Sequence, residues 1–257
     1  MDRFERLRKF TAARIGLARS GPGIATRDHL AFRAAHALAR DAVHTPLDLD
    51  ALEASLGPLG LPVVRVESRA PDQQTYLTRP DLGRRLSEAA SERLQHAAGD
   101  VEIAVLVAGG LSAFATASHA ADLLKLLVPA WQREGRRLGP LCIAPRGRVA
   151  LGDEVGAILG ARLVLVLIGE RPGLSSPDSL GAYLTLGPRL GRTDADRNCI
   201  SNIRPEGMDL PEAARRILWL TDQAMTRGIS GVSLKDDSDV PLLRASDAPA
   251  ISDAPEP

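Results

Sequence analysis

Aromatic and sulfur-bearing side chains are scarce in this chain. Phe, Trp and Tyr make up 3% of its 257 residues, and the only cysteines are Cys142 and Cys199. So few rings argue against a stacking platform for single-stranded nucleic acid. Two cysteines without a spacing motif give neither a zinc site nor a disulfide framework, and they suit a reducing cytoplasm. An excess of one charge is missing too, because 32 Lys and Arg balance 32 Asp and Glu. A nucleic-acid binder or a protein of anionic membranes would carry a basic surplus. No apolar run reaches membrane-spanning length, and the opening Met-Asp-Arg-Phe-Glu-Arg is too charged for a secretory signal. Neither nucleic acid nor membrane is therefore expected as a partner.

Self-sufficient catalytic signatures are also absent. The chain has no GxSxG elbow, no P-loop, no HExxH and no CxxC. A nicotinamide dehydrogenase is disfavoured by the missing GxGxxG fingerprint and ribose-binding acid.

The first 25 residues are basic, with Arg3, Arg6, Arg8, Lys9, Arg14 and Arg19, and Gly21-Pro22-Gly23 breaks them off. They read as an exposed arm or a frayed first helix, with contact to an acidic partner as the alternative. Thr26 opens a helix to about Val43 that carries His29 and His36, with His44 just beyond. No Glu or Cys completes a metal set with these histidines. Helices are expected over Asp48–Leu56 and Asp81–His96, and an extended run over Val63–Val66. Residues 1–98 thus read as a mostly helical N-terminal lobe, with a boundary at Gly99-Asp100.

Beyond that boundary the texture changes. Val101–Ala108, Leu141–Ala144 and Leu163–Ile168 are short apolar runs of the kind that form fully buried parallel strands. Helices are expected over Ala113–Trp131, Leu151–Leu159 and the segment from Asp209 to Gly228, and a last strand over Ile229–Leu234. Strand, Gly109-Gly110 turn, small residue and helix open a βαβ unit. The expected fold is α/β, a Rossmann-like parallel sheet domain over 99–235. Its tail, 236–257, holds six acidic residues and one Arg and reads as disordered.

The strand Leu163–Ile168 stops at Gly169, so Glu170, Arg171 and Pro172 fall past its carboxyl end, where ligands bind in open α/β sheets. A long polar loop is expected to follow and to hold Cys199. With Arg148, Asp178, Asp194, Asp196, Arg197 and Asn202, these groups suit hydrogen bonding to a large polar ligand better than bond breaking.

Five segments carry a resemblance: Tyr76–Leu86, Gly147–Gly156, Ile168-Gly-Glu-Arg-Pro-Gly-Leu174, Asp196-Arg-Asn-Cys-Ile-Ser-Asn-Ile-Arg204 and Gly228–Lys235. Together they resemble the small (light) subunit of ethanolamine ammonia-lyase, over nearly the whole chain from about Ala13 to Lys235. The resemblance implies a partner, the large TIM-barrel subunit. It implies a cofactor, adenosylcobalamin, held between the two chains with its own dimethylbenzimidazole on cobalt. The absence of a DxHxxG motif agrees with that. It implies the radical conversion of ethanolamine to acetaldehyde and ammonia, with the chemistry in the large subunit. It maps the cobalamin contacts onto Val149, Glu170 and Cys199, and assigns this chain no catalytic residue and no protein ligand to a metal. The expected location is the cytoplasm, with packaging in a bacterial microcompartment left open.

The chain departs from the family's pattern in places. Gly109 stands where the family usually has Asp, and Ala35 and Leu38 replace polar residues on the first long helix. These changes motivate an alternative: a non-catalytic interaction module that keeps the fold and has lost the lyase role.

Overall fold

A computed structural model describes residues 4–11 and 13–239. Arg3 of the basic arm and all of the acidic tail beyond Asp239 lie outside the described residues. The chain begins with α1 (Glu5–Arg8), a short ladder of β1 (Arg19–Ser20) with β2 (Gly23–Ile24), α2 (Thr26–His44), α3 (Leu49–Leu56), β3 (Val63–Arg65), α4 (Gln73–Thr78) and α5 (Glu88–Gln95). It continues with β4 (Ile103–Ala108), α6 (Ala113–Arg133), β5 (Leu138–Ala144), α7 (Leu151–Ile158), β6 (Leu163–Gly169), β7 (Leu180–Leu186), β8 (Arg197–Ile203) and α8 (Leu210–Arg227).

This is an α/β fold built on a six-stranded sheet of order β3-β5-β4-β6-β7-β8. The parallel sheet expected from the sequence is in fact mixed. β3, β5, β4 and β6 are parallel neighbours, whereas β7 runs antiparallel to both β6 and β8. Length explains the change. A parallel return needs a crossover of about a dozen residues or more, usually a helix. Between β6 and β7 the chain has only residues 170–179 and no helix, so it turns straight back.

Alternation explains why β4 and β6 read as continuous apolar runs. Ile103, Val105 and Val107, with Leu163, Leu165 and Leu167, pack against α3, α6 and α8. Ala104, Leu106 and Ala108, with Val164, Val166 and Ile168, face the opposite way, against α5 and α7. Both faces of the sheet are covered, so every residue of these strands is buried. A fully buried Leu or Val contributes about 1.5–3 kcal/mol, and this double layer is the main source of stability.

Helix starts follow their capping residues. Asp48, Asp72, Ser87, Ser112 and Asp209 each accept a backbone N–H of the first turn with a side-chain oxygen. Thr26 is the exception, being the first residue of α2; Ala25 precedes it without a side-chain cap. Gly228 ends α8 in the left-handed conformation.

Three further expectations are corrected. The helix over Asp81–His96 is split into a 3-10 turn, Leu82–Arg84, and α5, because buried Leu86 bridges to Ser68 in extended form and Ser87 restarts the helix. The strand over Ile229–Leu234 is a 3-10 turn, Gly231–Ser233, held by Asn198 through Gly231 and Leu234. The long polar loop after β6 contains two strands, and Cys199 lies in β8. Asp236 and Asp239, at the start of the acidic tail, pair with Arg215 and Arg216 on α8. Among the described residues, no helix is long and apolar enough to cross a membrane.

Candidate functional site

The chain leaves β4 toward α6 on one face of the sheet and leaves the adjacent β5 toward α7 on the other. Such a divergence opens a crevice outside the carboxyl ends of the strands. The residues past β4, β5 and β6 meet there.

Two glycines bring the backbones together. Gly110 has φ 60°, and a side chain on it would run into the Gly169 carbonyl. Leu111 N–H donates to that same carbonyl at 2.9 Å. Ser112 caps α6 and donates its hydroxyl to the Pro177 carbonyl at 2.8 Å, fastening the loop after β6. Gly109 is buried with its Cα against the Pro145 carbonyl, where a Cβ would approach to 2.5 Å. An aspartate at this position therefore requires the backbone to shift.

Past β5, the Tyr76 hydroxyl donates to the Gly147 carbonyl at 2.8 Å. The Arg148 guanidinium lies 4.4 Å over the Tyr76 ring and donates to the Tyr76 carbonyl at 3.0 Å. Burial pushes the Tyr76 phenol up to about 12, with the Arg148 charge opposing. α4 is thereby latched to the ligand edge. Arg146 adds donations to the carbonyls of Ala70 and Pro71.

Past β6, Glu170 Oε2 accepts from the Ser179 hydroxyl at 2.5 Å and from Asn202 N–H at 3.1 Å. Asn202 holds φ 58°, a left-handed backbone uncommon outside glycine but favoured by Asn. Glu170 Oε1 takes no hydrogen bond from the described residues, so it remains an available acceptor.

Val149 and Glu170 line one cavity of about 420 Å³, together with Tyr76, Leu111, Arg148 and Tyr183. Cys199 is exposed and lies outside that lining. It stands opposite Tyr183 across the β7–β8 pair. Neighbouring protein atoms push its thiol pKa up; Tyr183 opposes the shift and the Glu170 charge adds to it. Burial likewise raises the Tyr183 phenol, the adjoining Cys199 adding to the effect. The cavity thus holds two of the three expected residues and touches the third through Tyr183. Cys142 is buried in β5, and burial drives its thiol up to about 12.

Sequence reasoning missed Tyr183 because it missed β7. The signal was there: Leu180, Ala182, Leu184 and Leu186 alternate with Gly181, Tyr183 and Thr185. Tyr76 lacked any local signal, since its partner is 71 residues away.

Comparison with known proteins decides the family. Residues 1–235 match the ethanolamine ammonia-lyase light chain (EutC) family. The chain belongs to that family. It is 51% identical to the ethanolamine ammonia-lyase small subunit of Ralstonia nicotianae, over 94% of this chain and 91% of the relative. It is 52% identical to that of Xanthomonas campestris pv. campestris, over 94% and 90%. The small subunit of Pseudomonas syringae pv. tomato is 48% identical, over 96% and 88%. As an ethanolamine ammonia-lyase small subunit, the chain is part of a carbon–nitrogen lyase of ethanolamine catabolism. Among the described residues of this small subunit, no group of His, Cys, Asp and Glu is arranged to hold a metal ion.

Proposed function

We propose that this chain binds adenosylcobalamin at the carboxyl edge of its Rossmann-like sheet and, with the large subunit, converts ethanolamine to acetaldehyde and ammonia. The observation that carries the reading is the joint placement of Val149 and Glu170 on one cavity past β5 and β6.

The residues fit such a ligand. Val149, Leu111 and Ile168 give an apolar wall, and Glu170 Oε1 is an acceptor for the amide side chains of a corrin or for a ribose hydroxyl. The 420 Å³ cavity adjoins a second one of about 610 Å³ through Arg148 and Val149. Both are open clefts, which suits a large cofactor whose other side is closed by the partner subunit. Adenosylcobalamin, when bound, supplies the radical chemistry. This chain grips and orients it: Val149 packs on it, Glu170 accepts from it, and Cys199 offers a soft surface beside Tyr183. The β4–α6–β5 and β5–α7–β6 crossovers support the Rossmann-like description.

Reconstitution tests the reading. The chain is mixed with a large subunit from the same genome, adenosylcobalamin and ethanolamine, and acetaldehyde is followed. Turnover that needs both chains is expected. A folded two-chain complex that neither turns over nor binds cobalamin would replace the lyase role with that of an interaction module.

A further inference from the structure

Two donors from different segments hold Glu170: the Ser179 hydroxyl, just before β7, and the Asn202 N–H, in β8. A largely buried cluster outside the cavity joins the segments that carry them. Asp178 precedes Ser179, and Arg204 lies two residues past Asn202. Arg204 Nη1 donates to Asp178 Oδ1 at 2.7 Å, and Nη2 lies 3.2 Å from Glu206 Oε2. The Arg204 side chain is 8% exposed and that of Asp178 19%. His119 of α6 stands behind the same carboxylate, with Nε2 3.5 Å from Oδ2. That nitrogen is buried and has no hydrogen-bond partner among the described residues. Ser112, at the start of the same helix, donates to the Pro177 carbonyl at 2.8 Å, so α6 meets this loop at two successive residues.

None of His119, Asp178 and Arg204 lines the cavity that holds Glu170. A buried ion pair is a poor source of stability, because desolvation offsets much of its attraction; a better attested use is to fix one arrangement among several. Here the arrangement is that of the two donors. Ser179, next to Asp178, meets Glu170 twice: its carbonyl accepts the Glu170 N–H at 2.9 Å, and its hydroxyl donates to Oε2. From Arg204 the path runs through Met208. Arg204 N–H donates to the Met208 carbonyl at 2.9 Å, and Met208 N–H donates to the Asn202 carbonyl at 2.8 Å. That turn supports Asn202 in its left-handed conformation, from which its N–H reaches Glu170. We infer that Asp178 is a positioning residue for the cofactor. Clamped by Arg204 and backed by His119, it sets Ser179 and Asn202 at the spacing that occupies Oε2 and leaves Oε1 to the ligand. This rests on the cofactor reading above and adds a residue that acts through Glu170 without touching the ligand.

A double-mutant cycle tests it. Four forms of this chain, wild type, Asp178→Asn, Glu170→Ala and the double variant, are each assembled with the large subunit and titrated with adenosylcobalamin by absorbance. Asp178→Asn keeps the side-chain size and removes the charge that Arg204 meets. In the wild-type background it is expected to weaken Kd about fivefold, within the range of one hydrogen bond. On top of Glu170→Ala it is expected to change nothing, because the clamp acts through Glu170 alone. A merely structural role lowers affinity alike in both backgrounds. Equal losses in the two backgrounds, or no loss in the wild-type one, therefore overturn the positioning role while the cofactor reading stands. A Glu170→Ala complex that binds as wild type does also overturns it. A wild-type complex that binds no adenosylcobalamin overturns both readings. Where Asp178→Asn fails to assemble, Arg204→Lys, which keeps the charge and gives up the planar fork, takes its place in the cycle and is read against the same outcomes.

Discussion

Arg197 reaches from β8 to Asp153 on α7 and closes two parallel contacts, Nη1 to Oδ1 at 2.7 Å and Nη2 to Oδ2 at 2.9 Å. Both side chains are 3% exposed. The same guanidinium donates to the Thr185 hydroxyl and the Arg192 carbonyl. One buried pair therefore ties the antiparallel strands to α7, which begins two residues after Val149. Burial raises the Asp153 carboxyl pKa, and the Arg197 contact works against that shift.

Asp153→Ala leaves Arg197 charged and buried without its partner. The expected loss is about 3–5 kcal/mol of unfolding free energy, read by urea denaturation. A loss under about 1 kcal/mol would mean that water or Asp194 replaces the carboxylate, and that the pair does not hold β8 in place.

Glu170→Ala removes the acceptor and leaves the core alone. Absorbance titration in the two-subunit complex is expected to show cobalamin bound about tenfold more weakly or worse, with stability lowered by no more than about 1 kcal/mol. Unchanged affinity removes Glu170 from the cofactor site.

Cys199 is exposed yet has a raised pKa, so its thiolate fraction is small at mildly alkaline pH. Alkylation by iodoacetamide, located by mass spectrometry, is expected to be slower in the folded chain than in urea, and to climb only above the ordinary thiol range. Glu170→Gln removes a negative charge that raises this pKa, so alkylation is expected to quicken. Equal rates in the folded and unfolded chains count against the environment described for β8.

Glu212 on α8 accepts from Arg215 and Arg216, and those contacts hold its carboxyl down to about 2 from an ordinary value of 4.5. The unfolded chain takes up this proton first as pH falls. The contribution to stability is therefore complete above about 4.5 and lost as pH drops toward 2. Thermal melts of wild type and Glu212→Gln are expected to differ at neutral pH and to converge through that window. A gap independent of pH would assign the effect to something other than ionisation.

The strands that announce themselves in the sequence are those buried on both faces. β4 is an unbroken run of Ala, Val, Leu and Ile, as is β6 up to its closing Gly169, and shortness, Val and Ile content and a flanking glycine favour strands over buried helices. α8 is equally plain, with Asp209 and Pro211 at its start and Gly228 at its end. β8 is not, because Asn198, Cys199, Ser201 and Asn202 face solvent or side-chain partners, and only Arg197, Ile200 and Ile203 are buried. A strand with an arginine among its inward residues looks like a loop until Asp153 is known to face it. The same holds for the site. Glu170 sits just past an apolar strand and was accessible to reasoning, Val149 was named by the family resemblance alone, and the Tyr76–Arg148 stack and the Tyr183–Cys199 pair exist only through tertiary contact.

The latch between Tyr76 and Gly147 also governs the order in which the protein can become competent. Its two ends are 71 positions apart, and the Asp153–Arg197 pair adds a further span of 44. A nascent chain that has released β4, β5 and β6 still lacks α8, which covers one face of those strands, and its ligand edge lacks β8 and the Asn202 N–H that holds Glu170. On the proposed function, cofactor capture belongs to the end of synthesis, after Asn202 has emerged and joined the sheet. A chain halted before that point leaves one face of its sheet without α8 and its Glu170 without an anchor.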